Sequence, residues 1–168
     1  LTFDCMTPAI LEHASNVTDE PRRVQWTRAD IPALEDSGVL DLRRVELIEG
    51  ELIDKMGKKP PHIDGVNACA IRMLEVFGRG FVYWESPIDV APQDNPRNEP
   101  EPDVVIFRSR RIPGQPLPGP ADIALLIEVS DTTLRFDRTV KARLYARADI
   151  AEYWVLDVVG RRLTVFLE

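Results

Sequence analysis

The sequence predicts one α/β domain of the α+β kind, a mixed β-sheet covered by helices and preceded by a β-hairpin. Three observations carry this. Short apolar segments switch between the two-residue period of strands and the three-to-four-residue period of helices. The run Ile123-Ala-Leu-Leu-Ile-Glu-Val129 is apolar on both faces, as a covered central strand requires. A chain of 168 residues, 44% apolar and 29% charged, can bury one core without metal or disulfide support but not two cores of ordinary size.

Residues 1–23 mix polar residues with Pro8 and Pro21 and read as an irregular arm before a single domain over 24–168. Met6-Thr7-Pro8 reads as a natural start, and residues 1–5 and Leu167-Glu168 as additions from cloning. A short helix is expected from Thr27 as N-cap through Ile31 and Leu34, closed by Gly38. Val45 to Met56 alternates around Glu49-Gly50, the signature of a hairpin. Pro60-Pro61 opens a helix whose apolar stripe is Ile63, Val66, Ala70, Leu74 and Phe77, closed by Gly78 and Gly80.

Phe81 to Val90 reads as a strand. Eight of the 14 prolines then fall between Pro92 and Pro120, interrupted by the strand Asp103–Phe107. After the central run comes a helix from Arg135 to Ala148, with Val140, Leu144 and Ala148 on its buried side. Strands at Tyr153–Asp157 and Arg162–Phe166, joined at Val159-Gly160, end the chain. No internal repeat is visible.

The net charge of −7, from 28 acids and 21 bases, argues against a protein that coats nucleic acid by bulk electrostatics. It does not exclude a nuclease, because acids around a metal site lower the net charge too. Two distant cysteines, Cys5 and Cys69, make neither a disulfide framework nor a zinc site, so a reducing cytoplasmic setting is expected. Two histidines, His13 and His62, leave little room for histidine-rich metal chemistry. No apolar run approaches the roughly 20 residues of a membrane span, and no leader pattern opens the sequence, so neither a membrane nor export is expected.

The chemistry is expected where carboxylates meet apolar strands. Asp103 starts one strand and Glu128 lies near the end of the central one. A buried acid is costly unless it is paired or bound to a cation. Antiparallel neighbours would bring the start of one strand beside the end of the next, so the two acids could share one ion. Oxygen donors without Cys or His favour Mg²⁺, with Mn²⁺ as the substitute, and the Val129 carbonyl is placed as a third ligand. Water on such an ion is a nucleophile for phosphodiesters. Lys141, 13 residues after Glu128, is the candidate base or charge stabiliser; Arg138, Lys141 and Tyr145 at i, i+3 and i+7 share a helix face that could meet substrate. The same helix carries Arg135, Arg143 and Arg147, the one local basic surface. Tyr145 by itself reads as half-buried, with its hydroxyl at the surface.

Six segments in order resemble the Uma-type family of restriction endonucleases. They are Val45-Glu-Leu-Ile-Glu-Gly-Glu51, Glu101-Pro-Asp103, Ile127-Glu-Val-Ser-Asp131, Asp137-Arg138 with Lys141, Leu144-Tyr-Ala-Arg-Ala148 and Glu152-Tyr-Trp154. The resemblance runs from about Trp26 to Phe166. It implies the PD-(D/E)XK nuclease fold, a restriction-endonuclease-like mixed sheet flanked by helices. It implies a metal pair at Asp103 and Glu128 and a lysine, Lys141, supplied from the helix; position 130 is Ser130, so the plain Glu-x-Lys form is absent. Glu46 resembles the family's additional acid and is expected to act in catalysis by holding an outer water of the metal or a second ion; His62 resembles a histidine at the start of the first long helix and is a candidate substrate contact. The expected activity is Mg²⁺-dependent DNA cleavage. A homodimer is expected because cutting both strands needs two sites. The rival expectations are a nucleic-acid or protein binding module with weak or lost catalysis, and hydrolysis of another phosphoester.

Overall fold

The computed structural model describes residues 23–38, 41, 45–55 and 59–167. Most of the arm expected over residues 1–23, with Cys5, His13 and the Met6 start, lies outside the described residues, as do Met56 and Glu168.

Helix α1 (Ile31–Ser37) carries a proline in its first turn and ends at Gly38 in the left-handed conformation. Its start differs from expectation. Asp30, not Thr27, is the N-cap residue, and the Asp30 carboxylate accepts hydrogen bonds from the Thr27 N–H at 2.8 Å and hydroxyl at 2.7 Å. The acid thus fixes the turn before the helix rather than the threonine fixing the helix.

Strands β1 (Val45–Ile48) and β2 (Glu51–Asp54) form the expected antiparallel hairpin. Its turn residues, Glu49 and Gly50, both have positive φ, the turn type whose twist suits a two-residue loop. Helix α2 (Pro60–Phe77) follows. Its buried stripe is Val66, Ala70 and Met73, while Ile63 and Phe77 of the expected stripe are exposed. The fully buried apolar residues of this helix lie in its middle. There Gly65 lets it approach closely: a Cβ at that position would stand 2.7 Å from Val129 Cγ1.

The strand expected over Phe81–Val90 is limited to β3 (Val82–Trp84). Glu85 turns into positive φ, and Pro87 offers no N–H to a ladder, so the chain leaves the sheet. Ile88 and Val90 are nevertheless buried in a core, which is why the segment looks strand-like in sequence. The remaining strands are β4 (Val104–Phe107), β5 (Ile123–Ser130), β6 (Glu152–Asp157) and β7 (Arg162–Leu167). The sheet order is β3-β4-β5-β6-β7, so β5 is central. Only β5 and β6 run parallel, and a parallel pair needs a crossover. That crossover is one helical stretch: α3 (Leu134–Phe136), a π turn (Asp137–Lys141) and α4 (Ala142–Arg147).

The sheet has a core on each face. Val66, Ala70 and Met73 of α2 pack on Val104, Ile106, Leu125, Ile127 and Val129. Leu144, Tyr145 and Ala148 pack on the other face with Val105, Leu126, Tyr153 and Ile48 of the hairpin. This mixed sheet between helices is the expected fold class. Among the described residues no helix is long and apolar enough to cross a membrane.

Candidate functional site

The start of β4 and the end of β5 meet at one end of the sheet. Val104 pairs with Ile127, so one antiparallel step further sets Asp103 beside Glu128. The Val129 N–H donates to Asp103 Oδ2 at 2.7 Å. Asp103 and Glu128 line one cavity of about 70 Å³ with Glu46, His62, Val129, Asp137 and Lys141. Fold topology therefore brings together residues from the hairpin, α2, β4, β5 and the crossover helix.

Lys141 is buried, and its Nζ lies 2.8 Å from Glu46 Oε1 and 2.9 Å from Glu128 Oε1. Both acids are buried too. Glu46 Oε2 accepts the Glu101 N–H at 3.2 Å. The Tyr145 hydroxyl donates to Glu128 Oε1 at 3.2 Å. Tyr145 is fully buried, which corrects the expectation of a surface hydroxyl and removes it from direct contact with substrate.

Arg138 does not join this cluster. It is exposed, while Asp137, Lys141 and Tyr145 are buried. The π turn explains the shift: it takes in an extra residue, so positions three apart, such as Arg138 and Lys141, no longer share a face, while positions four apart, such as Asp137 and Lys141, still do. Asp137 is the residue that sequence spacing missed. Its carboxylate accepts the Ser130 and Thr133 hydroxyls at 2.6 Å each, tying the helix start to the end of β5. A simple i, i+4 pairing of Asp137 with Lys141 hides this role in the sequence.

His62 sits at the start of α2 over the same strand end. Its Nδ1–H donates to the Val129 carbonyl at 2.7 Å, and Nε2 lies 3.4 Å from Asp103 Oδ1. The Val129 carbonyl expected as a metal ligand thus already has an imidazole partner. Arg147, expected on a substrate-facing basic surface, instead binds Glu49 at 2.5 Å and Asp94 at 3.2 Å and anchors α4 to the hairpin. Arg135 and Arg143 are exposed.

The electrostatics follow from burial. Desolvation pushes the Glu128 carboxyl well above the ordinary range; Lys141 pulls it back, and Asp103, Asp137 and Glu46 push it up again. Burial also raises Asp137, opposed by Lys141 and by its two hydroxyl donors. For Lys141 burial alone favours the neutral amine, but Glu128, Glu46 and Asp137 outweigh it, and the ammonium persists. Burial and the adjacent Glu128 hold the Tyr145 phenol in its protonated form. One buried ammonium therefore faces the buried carboxylates Glu46, Glu128 and Asp137, with Asp103 at their edge.

That excess of negative charge suits a proton or a hard cation, and the donors are the oxygens that Mg²⁺ prefers. Among the described residues no three Asp, Glu, His or Cys side chains already form a metal cage. An ion would have to draw on two carboxylates, backbone oxygen and water.

A family model described as "Putative restriction endonuclease", Uma2, matches residues 31–168. Among solved structures, that of a putative nuclease belonging to DUF820 from Anabaena variabilis ATCC 29413 matches with a TM-score of 0.55 and 16% identity. The match covers 80% of this chain and 83% of that one, and at this identity it speaks for the fold. No curated protein matches. With a mixed sheet of the nuclease kind and a family match over most of its length, the chain belongs to the Uma2 family of restriction-endonuclease-like proteins.

Proposed function

We propose that this protein is a Mg²⁺-dependent endonuclease that hydrolyses phosphodiester bonds of DNA. The observation that carries the reading is the meeting of Asp103, Glu128 and Lys141, from three separate segments, in one acidic cavity. Asp103 and Glu128 would hold the cation, with the Val129 carbonyl as a backbone donor once His62 releases it; Mn²⁺ would substitute. When bound, the ion supplies an acidified water and positive charge for the phosphoryl oxygens.

The protein's own groups do the rest. Tyr145 holds Glu128 Oε1 from below, and Glu46 holds Lys141 at the cavity wall. Lys141 keeps its proton at Nζ and offers positive charge beside the reacting phosphate, the role its buried acidic surroundings favour. A cavity of about 70 Å³ admits an ion and water but no nucleotide, so DNA would lie across its mouth. Cutting both strands of a duplex would use two copies of the chain.

The direct test is plasmid cleavage with Mg²⁺ or Mn²⁺, comparing wild type with Asp103→Asn, Glu128→Gln and Lys141→Met. The reading expects nicking or linearisation by wild type, none in EDTA, and at least a hundredfold loss in each variant. Activity undiminished in Asp103→Asn or Glu128→Gln would reject this site. If wild type binds the ion but cuts neither duplex, single-stranded nor branched DNA, a binding module on the same fold is the better account.

A further inference from the structure

A second cavity lies away from the acid cluster. Helix α2 ends at Phe77, and Gly78 and Gly80, both at positive φ, turn the chain into edge strand β3. Between that turn and the strand is a cavity of about 530 Å³, with Leu74, Arg79 and Tyr83 in its lining and Trp84, Glu85 and Ser86 at its other end. Trp84 is 51% exposed, whereas Trp26 and Trp154 are partly buried. A large aromatic ring on the open edge of a sheet, beside a cavity, contributes little to the core.

One end of this groove is basic although the chain carries −7 overall. Arg79 is exposed at the turn. The Arg110 side chain lies so close over Gly80 that a Cβ there would stand 2.8 Å from Arg110 Cγ. The Arg111 N–H bonds the Gly80 carbonyl at 2.8 Å and locks the two loops together. At the other end the groove borders, through its backbone, the strand that follows Asp103: Trp84 pairs with Val104, and the Glu85 N–H donates to the Asp103 carbonyl at 3.1 Å. The ring thus stands on the strand residue paired next to Asp103, and guanidinium groups stand at the far end of the same short strand.

We propose that this groove binds single-stranded DNA, an unpaired base stacking on Trp84 while Arg79 and Arg110 hold backbone phosphates. The inference rests on the nuclease reading and names its substrate as DNA with an unpaired strand. A cationic track with an aromatic platform is how sequence-tolerant single-strand binders work. A paired base in a duplex has both faces stacked and offers Trp84 nothing. Charge selects a polyanion over an apolar peptide at the arginine end.

The test measures anisotropy of a labelled dT oligonucleotide and of a duplex of equal length, with the intact protein in EDTA so that no cleavage intervenes. Wild type should prefer the single strand. Trp84→Ala should weaken it about five- to 150-fold, the range of one base–aromatic stack, and Trp84→Phe should recover most of the affinity. Arg79→Ala with Arg110→Ala should lower the salt slope by about 0.7 for each phosphate no longer neutralised. A preference for duplex, or equal binding by wild type, Trp84→Ala and the double arginine variant, overturns the proposal. Should Mg²⁺-dependent plasmid cutting persist alongside that equal binding, the groove is refuted and the nuclease reading stands. Trp84-dependent binding without cleavage of any DNA supports the groove and refutes the nuclease.

Discussion

Replacing Lys141 by Met isolates the electrostatics of the acid cluster. Methionine keeps most of the length of the side chain but removes the ammonium that lies 2.8 Å from Glu46 and 2.9 Å from Glu128. All three side chains are at most 6% exposed, so bulk water reaches the two acids poorly. Breaking a buried pair by removing one member costs about 3–5 kcal/mol, a large share of the roughly 5–15 kcal/mol that holds a domain together. Urea unfolding followed by tryptophan fluorescence should show this. With a slope of about 2 kcal/mol per molar, the midpoint should fall by roughly 1.5–2.5 M at pH 7. The pH dependence supplies the control. Without Lys141, Glu128 and Asp137, which burial already raises, lose the charge that pulls them down, so their folded pKa values stand above their unfolded ones and the folded state binds more protons. Stability is then greatest below the unfolded value of about 4 and declines as pH rises through the folded values. The deficit should therefore shrink at acid pH, and Glu46→Gln added to Lys141→Met should recover part of it at pH 7. A loss under about 1 kcal/mol, or one that is the same at pH 5 and pH 8, would refute this reasoning.

Three further outcomes are expected. Asp137→Asn keeps an acceptor for Ser130 and Thr133 but removes a carboxyl raised by burial; wild-type stability should fall as pH rises from the ordinary carboxylate value through the raised one, and thermal melts of the variant should show a flatter pH profile. Tyr145→Phe removes the hydroxyl bond to Glu128; it should cost about 0.5–1.5 kcal/mol in stability and shift the pH profile of cleavage, because Glu128 loses a donor. Gly65→Ala places a Cβ 2.7 Å from Val129 Cγ1 and 3.0 Å from Val158 Cγ1; overpacking should cost about 1–3 kcal/mol in urea unfolding, although alanine is the better helix former.

Much of this was legible because apolar patterning is strict where both faces of a strand are covered. Ile123–Val129 declares itself central, which makes Glu128 conspicuous, and an antiparallel neighbour carrying Asp103 follows from the proline-bounded run before it. Lys141 follows from its place on the next helix. What the patterning could not show depends on geometry that leaves no compositional mark. The π turn at Asp137–Lys141 rotates Asp137 into the cluster and Arg138 out of it, yet its residues would suit an α-helix. Tyr145 looks amphipathic in sequence, and only the depth of the crossover helix buries its hydroxyl against Glu128. Ile88 and Val90 mimic a strand because they are buried, although Glu85 and Pro87 have already taken the chain out of the ladder. The hydrogen bond from His62 to Val129 spans 67 residues and has no local signal.

Calorimetric titration of Mn²⁺ into wild type, Asp103→Asn and Glu128→Gln, each verified as folded, addresses the acid pair most directly. One saturable site in wild type, weakened at least tenfold in both single variants, is the result expected of two carboxylates gripping one ion. Heats indistinguishable among the three proteins would contradict it.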